Sequence, residues 1–178
     1  MSTVILTPLF PPDPSPSALY TKLLAENLPS DSLSVIAFGD LPESVAGVTM
    51  YPISKRRNKL LRVLDCLSQL FRSQPQTLLI QNGPSVELPA LIYSFLKKTT
   101  LIYIISDHAA QQDQSWLRSY VARSLQKKAS VIISLPENQT IHLKPEWLPF
   151  AEVDQITQRA HDTWWTEHLR LLTKHAHG

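Results

Sequence analysis

Three short runs are apolar on both alternations, and no other feature restricts the fold of this chain as much: Thr77-Leu78-Leu79-Ile80-Gln81, Leu101-Ile102-Tyr103-Ile104-Ile105 and Ser130-Val131-Ile132-Ile133. A strand with one wet face alternates apolar and polar residues, so a run without alternation belongs to a strand covered on both faces. Helix-length stretches separate these runs. Pro84 to Lys98 places Leu88, Leu91, Ile92 and Phe95 inward, and Gln111 to Lys127 repeats with Trp116, Leu117, Tyr120, Val121 and Leu125. Buried strands alternating with amphipathic helices imply right-handed crossovers and helices on both faces of a mainly parallel sheet. The fold class is therefore α/β, a doubly wound, Rossmann-like sheet.

The rest of the chain extends the same pattern. Val4-Ile5-Leu6-Thr7 is a buried strand, stopped by Pro8 and the stiff segment Phe10-Pro11-Pro12-Asp13-Pro14-Ser15-Pro16. Ser15 or Ser17 then caps a helix carrying Leu19, Leu23, Leu24 and Leu28, which Pro29 ends. Ser34 to Phe38, closed by Gly39, and Val48 to Tyr51, closed by Pro52, are two further strands. Lys55 to Ser73 reads as a helix with Leu60, Leu61, Leu64, Leu67, Leu70 and Phe71 on one broad face. After Ser134, Thr140 to Pro149 shows no period, and helical spacing returns from Ala151 to His175. One domain covers residues 1–178, with a body over about 1–135 and a C-terminal loop and helix over about 136–175.

Composition removes several classes of function. Glycine numbers 4 against 14 prolines, so a Gly-rich phosphate loop, which needs backbone without Cβ near the anion, is nearly excluded. A formal charge of +2 is too small for a dedicated nucleic-acid binder. The single cysteine, Cys66, has leucine neighbours that make it a buried helix residue, which fits a reducing compartment. No apolar run reaches the ~20 residues needed to span a bilayer, and Met-Ser-Thr-Val-Ile-Leu-Thr-Pro is no signal sequence, so the expected location is the cytoplasm. His161, His168 and His175 recur every seven residues, but on a helix that spacing is ~10.5 Å, too long for one ion. No metal and no cofactor is expected.

In an open parallel sheet, ligands sit beyond the carboxyl ends of the strands. Asp107-His108 follows a buried strand, where a carboxylate beside an imidazole can orient it and deprotonate a hydroxyl; the plainer reading makes Asp107 a helix cap. Gln81-Asn82-Gly83 and the loop through Ser15 and Ser17 lie at other strand ends. Lys55, Arg56, Arg57, Lys59 and Arg62 crowd the start of a helix, where the helix dipole disfavours cations. Either they meet an anionic partner such as a membrane surface, or they are a solvated end whose arginines pair with local carboxylates.

The opening Leu6-Thr7-Pro8-Leu9-Phe10-Pro11-Pro12-Asp13-Pro14-Ser15 with its Leu-rich helix resembles the start of family-4 glycosyltransferases of the bacterial cell-surface polysaccharide type. The basic segment Arg56 to Arg62, the run Leu78 to Pro84 with Leu88-Pro89-Ala90 after it, and the strand ending at Asp107 follow in that family's order. The resemblance covers roughly residues 3 to 135. It implies the acceptor-side lobe of a GT-B enzyme, completed by a donor-lobe protein chain and acting on a lipid-linked or saccharide acceptor, with some members peripheral at the inner membrane face. It also implies Asp107 and His108 as catalytic candidates and Ser15, Ser17, Gln81 and Asn82 as substrate-binding ones. The first loop lacks the family's usual glycine, and the family's second lobe, with its pair of glutamates, has no counterpart after Ser134. A non-catalytic module that binds a partner is the alternative.

Overall fold

In a computed structural model of the chain, residues 2–28, 32–106, 115–134, 165–170 and 172–174 are described. The order of elements is β1 (Ser2–Thr7), α1 (Pro16–Asn27), β2 (Ser32–Phe38), β3 (Thr49–Ile53), α2 (Lys59–Ser73), β4 (Thr77–Gln81), α3 (Pro84–Leu96), β5 (Thr100–Ile105), α4 (Trp116–Lys128) and β6 (Val131–Ser134). Helical residues 165–170 and 172–174 follow. The six strands form one sheet in the order β3-β2-β1-β4-β5-β6, and every pairing is parallel. This is the doubly wound, Rossmann-like α/β fold that the apolar runs predict.

The runs without alternation behave as a two-sided strand must. Val4, Leu6, Leu78, Ile80, Leu101 and Tyr103 enter the core shared with α2, α3 and α4. The intervening Ile5, Leu79, Ile102 and Ile104 enter a second core, with Tyr20, Leu23 and Leu24 of α1 and with Trp165 and Leu172. Cys66 is fully buried in the first core, and burial pushes its thiol pKa up.

Three boundaries differ from the sequence reading. β3 continues through Pro52, which is tolerated because β3 is an edge strand. α2 begins at Lys59 and not at Lys55. The Asn58 side chain caps it by accepting the Leu61 N–H at 2.8 Å, so Lys55, Arg56 and Arg57 belong to the preceding turn. α3 stops at Leu96, where Lys97 turns to extended backbone. At the start of α1 the cap is Ser15, one of the two residues the sequence offers, accepting from the Ala18 N–H. The periodicity also assigned too many side chains to the core: Leu60, Leu61, Leu64, Phe95, Trp116, Leu117 and Tyr120 are exposed, and Leu88 is partly so.

Candidate functional site

The strand order reverses between β1 and β4, and their carboxyl ends flank the crevice where a Rossmann-like sheet ordinarily takes its ligand. In this chain the floor of that crevice is filled from within. The Gln81 amide is buried; its Nε2 donates to the Ser17 carbonyl and to Ser106 Oγ, both at 3.0 Å. Its Oε1 lies within reach of the Thr7 and Thr21 hydroxyls, whose protons also have the Leu9 and Ser17 carbonyls as acceptors. Asn82 extends the network: its Oδ1 accepts from the Ser106 N–H at 2.9 Å and from Ser106 Oγ at 3.1 Å, and its own N–H donates to Ile104. One buried network therefore fastens the ends of β1, β4 and β5 to α1. Gly83 lets Pro8 close over it, since a Cβ there would stand 2.7 Å from Pro8 Cγ.

The loop just before α1, beside the helix start where such sheets commonly hold phosphate, carries a negative charge of its own. Asp13 Oδ1 accepts from the Ser15 N–H at 2.9 Å, and hydrogen bonding by Ser15 holds this carboxyl below its ordinary value. A small cleft of about 290 Å³ lies beside it, lined by Phe10, Asp13, Phe38, Asp40 and Lys55 among others.

A larger cleft of about 500 Å³ opens where the first turns of α2, α3 and α4 meet. Phe38 lines both clefts. Lys59 and Arg62 come from α2, Ser85 and Glu87 from α3, and Arg118 from α4; Val63, Leu88, Leu117 and Val121 supply apolar walls. Glu87 is buried and already engaged, accepting from Tyr103 Oη at 2.6 Å and from the Gly83 N–H at 3.3 Å. Burial, reinforced by the Glu87 carboxylate, raises the Tyr103 pKa, and the Arg118 charge opposes the rise. Arg118 Nε is buried without a hydrogen-bond partner, and Lys59 and Arg62 form no ion pair, among the described residues.

The basic segment is thus split by its surroundings. Arg56 pairs with Asp40 at 3.2 Å and Arg57 with Asp65 at 2.7 Å, whereas Lys59 and Arg62 turn to the cleft. Ser15 and Ser17 are half-buried at the start of α1, beside the Gln81-Asn82 network. Asp107 and His108 lie outside the described residues, directly after Ser106. His168 is buried, with Nε2 2.7 Å from Tyr20 Oη, while His161 and His175 lie outside the described residues. Among the described residues no three His, Cys, Asp or Glu side chains gather as metal ligands, and no helix is long and apolar enough to cross a membrane.

Sequence reasoning did not single out Thr7, Thr21, Glu87 or Arg118. Glu87 carried a signal, a lone carboxylate inside the otherwise apolar stretch from Val86 to Ile92. Thr7 and Thr21 carried none, because a threonine at a strand end or in a helix is ordinary.

Fold and strand order define the class, a Rossmann-like lobe. Neither a protein-family model nor a curated protein sequence matches the chain. Among solved structures it is similar to the UDP-GlcNAc 2-epimerase from Methanocaldococcus jannaschii, with a TM-score of 0.50 at 10% identity. The match covers 78% of this chain but 40% of the epimerase chain. The likeness is one of fold, and it fits a lobe of GT-B-like type.

Proposed function

We propose that this chain is the acceptor-side lobe of a GT-B-type sugar transferase in cell-surface polysaccharide or glycoconjugate assembly, with the donor sugar nucleotide held by a separate lobe. The filled crevice carries this reading. Gln81 has used both of its amide atoms within the protein, Pro8 packs on Gly83, and the Asp13 carboxylate repels a diphosphate at the first turn of α1. The similarity in fold to a UDP-GlcNAc 2-epimerase supports a sugar-related role.

In this reading Ser15 and Ser17 meet the acceptor while Gln81 and Asn82 hold the floor beneath it. Ser106, just after β5, is fixed through both its N–H and its hydroxyl to Asn82. His108, oriented by Asp107, accepts the proton of the acceptor hydroxyl as its oxygen bonds to the anomeric carbon; the nucleoside diphosphate leaves with the electrons of the broken C–O bond. Calorimetry of the chain with UDP-, GDP- and TDP-sugars tests the assignment of lobes. No dissociation constant tighter than about 10 μM, or ~7 kcal/mol, is expected, and tighter binding overturns the reading. When the donor-binding chain that co-purifies from the native host is added, transfer should appear and fall about 100-fold in His108→Ala.

The same reading brings Lys55, Arg56, Arg57, Lys59 and Arg62 against an anionic membrane. Leu60, Leu61 and Leu64 are exposed among these cations, and exposed ion pairs such as Arg56–Asp40 exchange readily for lipid phosphate. Sedimentation with anionic vesicles should be strong at ~0.1 M salt and weak at ~1 M, where the Debye length falls from ~10 Å to ~3 Å. Equal sedimentation with neutral vesicles removes the membrane from the reading.

A further inference from the structure

We infer that the cleft between α2, α3 and α4 is a binding site for the phosphoryl group of an amphiphile, a phosphate monoester or diphosphate carried on an apolar body. The inference goes beyond the acceptor-lobe reading, because it stands on the cleft and not on the place of the lobe in a transferase.

Charge argues for a phosphoryl group. Lys59, Arg62 and Arg118 reach the cleft from two helices, and Glu87, the one carboxylate in its lining among the described residues, already accepts from Tyr103 and Gly83. Three cations less one carboxylate leave an excess of two positive charges, which a dianion balances and a carboxylic acid does not. Arg118 has a buried Nε with no hydrogen-bond partner among the described residues, and a buried donor left unmade is costly. The first turns of α2, α3 and α4 (Lys59, Pro84 and Ser85, Leu117 and Arg118) all line the cleft, so their dipoles add to the same potential. Among the described residues, neither Gly83 at the start of α3 nor Ser115 at the start of α4 provides a side-chain cap.

Shape and polarity argue for an apolar body. About 500 Å³ is the size of a small-molecule site, far more than one phosphate fills. Leu88 and Leu117 line the cleft while 38% and 52% exposed, surface that an alkyl or isoprenoid chain covers and inorganic phosphate does not.

Titration calorimetry with octyl phosphate, inorganic phosphate and neutral octyl glucoside tests the assignment. Octyl phosphate should bind about ten-fold or more tightly than inorganic phosphate, and octyl glucoside should not compete with it. Lys59→Gln with Arg62→Gln, and separately Arg118→Gln, should each weaken octyl phosphate about ten-fold. Leu88→Ser with Leu117→Ser should weaken octyl phosphate while leaving inorganic phosphate within about two-fold. Arg123→Gln with Lys127→Gln, exposed on α4 and outside the lining, should change neither. Lys59 and Arg62 are surface positions, so their double variant reports even if Arg118→Gln does not fold. No binding of octyl phosphate, unchanged affinity in the Lys59 and Arg62 variant, or competition by octyl glucoside overturns the site. Equal affinity for octyl phosphate and inorganic phosphate overturns the apolar body.

Discussion

Tyr20, Trp165 and His168 close one face of the sheet, whereas Lys59, Arg62 and Arg118 leave the other face open at its carboxyl edge. On the closed face the Tyr20 ring lies 5.6 Å from that of Trp165 and 5.7 Å from that of His168, over a core that includes Leu23, Leu79 and Ile104. On the open face α2, α3 and α4 bury Cys66, Leu70, Tyr93 and Leu125 farther along, while Leu60 and Trp116 in their first turns are 69% and 81% exposed. Both buried side-chain atoms without a hydrogen-bond partner among the described residues, Gln69 Oε1 and Arg118 Nε, belong to helices of the open face. Satisfied polar groups and packed rings stabilise the fold and have little left to offer a ligand. Unpaired cations at the rim of a cleft contribute little to the fold and are available for binding, so stability and recognition divide between the two faces.

That division predicts a graded set of effects. Trp165→Ala should cost the most, about 3–4 kcal/mol in urea unfolding, because it empties the stack on Tyr20. A loss under ~1 kcal/mol would show that residues 165–174 do not close this face. Gln81→Ala should cost about 2–3 kcal/mol, since the Ser17 carbonyl loses a donor and a cavity opens among Thr7, Thr21 and Ser106. If it is neutral, the crevice is not sealed by this network and the acceptor-side reading loses its support.

Asp13→Asn should act through pH and by less than about 1 kcal/mol. The folded state holds this carboxyl below its ordinary 3.8, so it binds fewer protons folded than unfolded. Its stabilising contribution is present above about pH 4 and is lost as pH falls through the lowered folded value. The variant should therefore show a shallower acid limb in a series of melts, and an unchanged limb would mean that the Ser15 hydrogen bonds do not hold the charge. The smallest effect belongs to the open face. Lys59→Gln with Arg62→Gln should alter stability by no more than ~0.5 kcal/mol, towards greater stability at low salt, because it relieves repulsion around Arg118. A clear destabilisation would mean that these cations have structural partners and that the two faces differ less than their geometry indicates.

The sequence by itself determined the parallel α/β sheet. The double-sided runs at Thr77–Gln81 and Thr100–Ile105 allow only strands covered on both faces, and the scarcity of glycine already argued against a phosphate loop at the first turn. Sequence also placed Gln81 and Asn82 at a strand end, because polar residues that abruptly close an apolar run mark the sheet edge. Only the tertiary structure decided what those groups face. Gln81 meets Ser17, 64 residues away, and Thr7, 74 away. Whether leucines such as Leu60 and Leu64 are covered depends on the angle at which neighbouring helices pack, which periodicity does not encode. The cleft has the same origin. Lys59 and Arg118 are 59 residues apart in sequence (118 − 59), and only the crossovers of a doubly wound sheet bring the first turns of their helices to one edge.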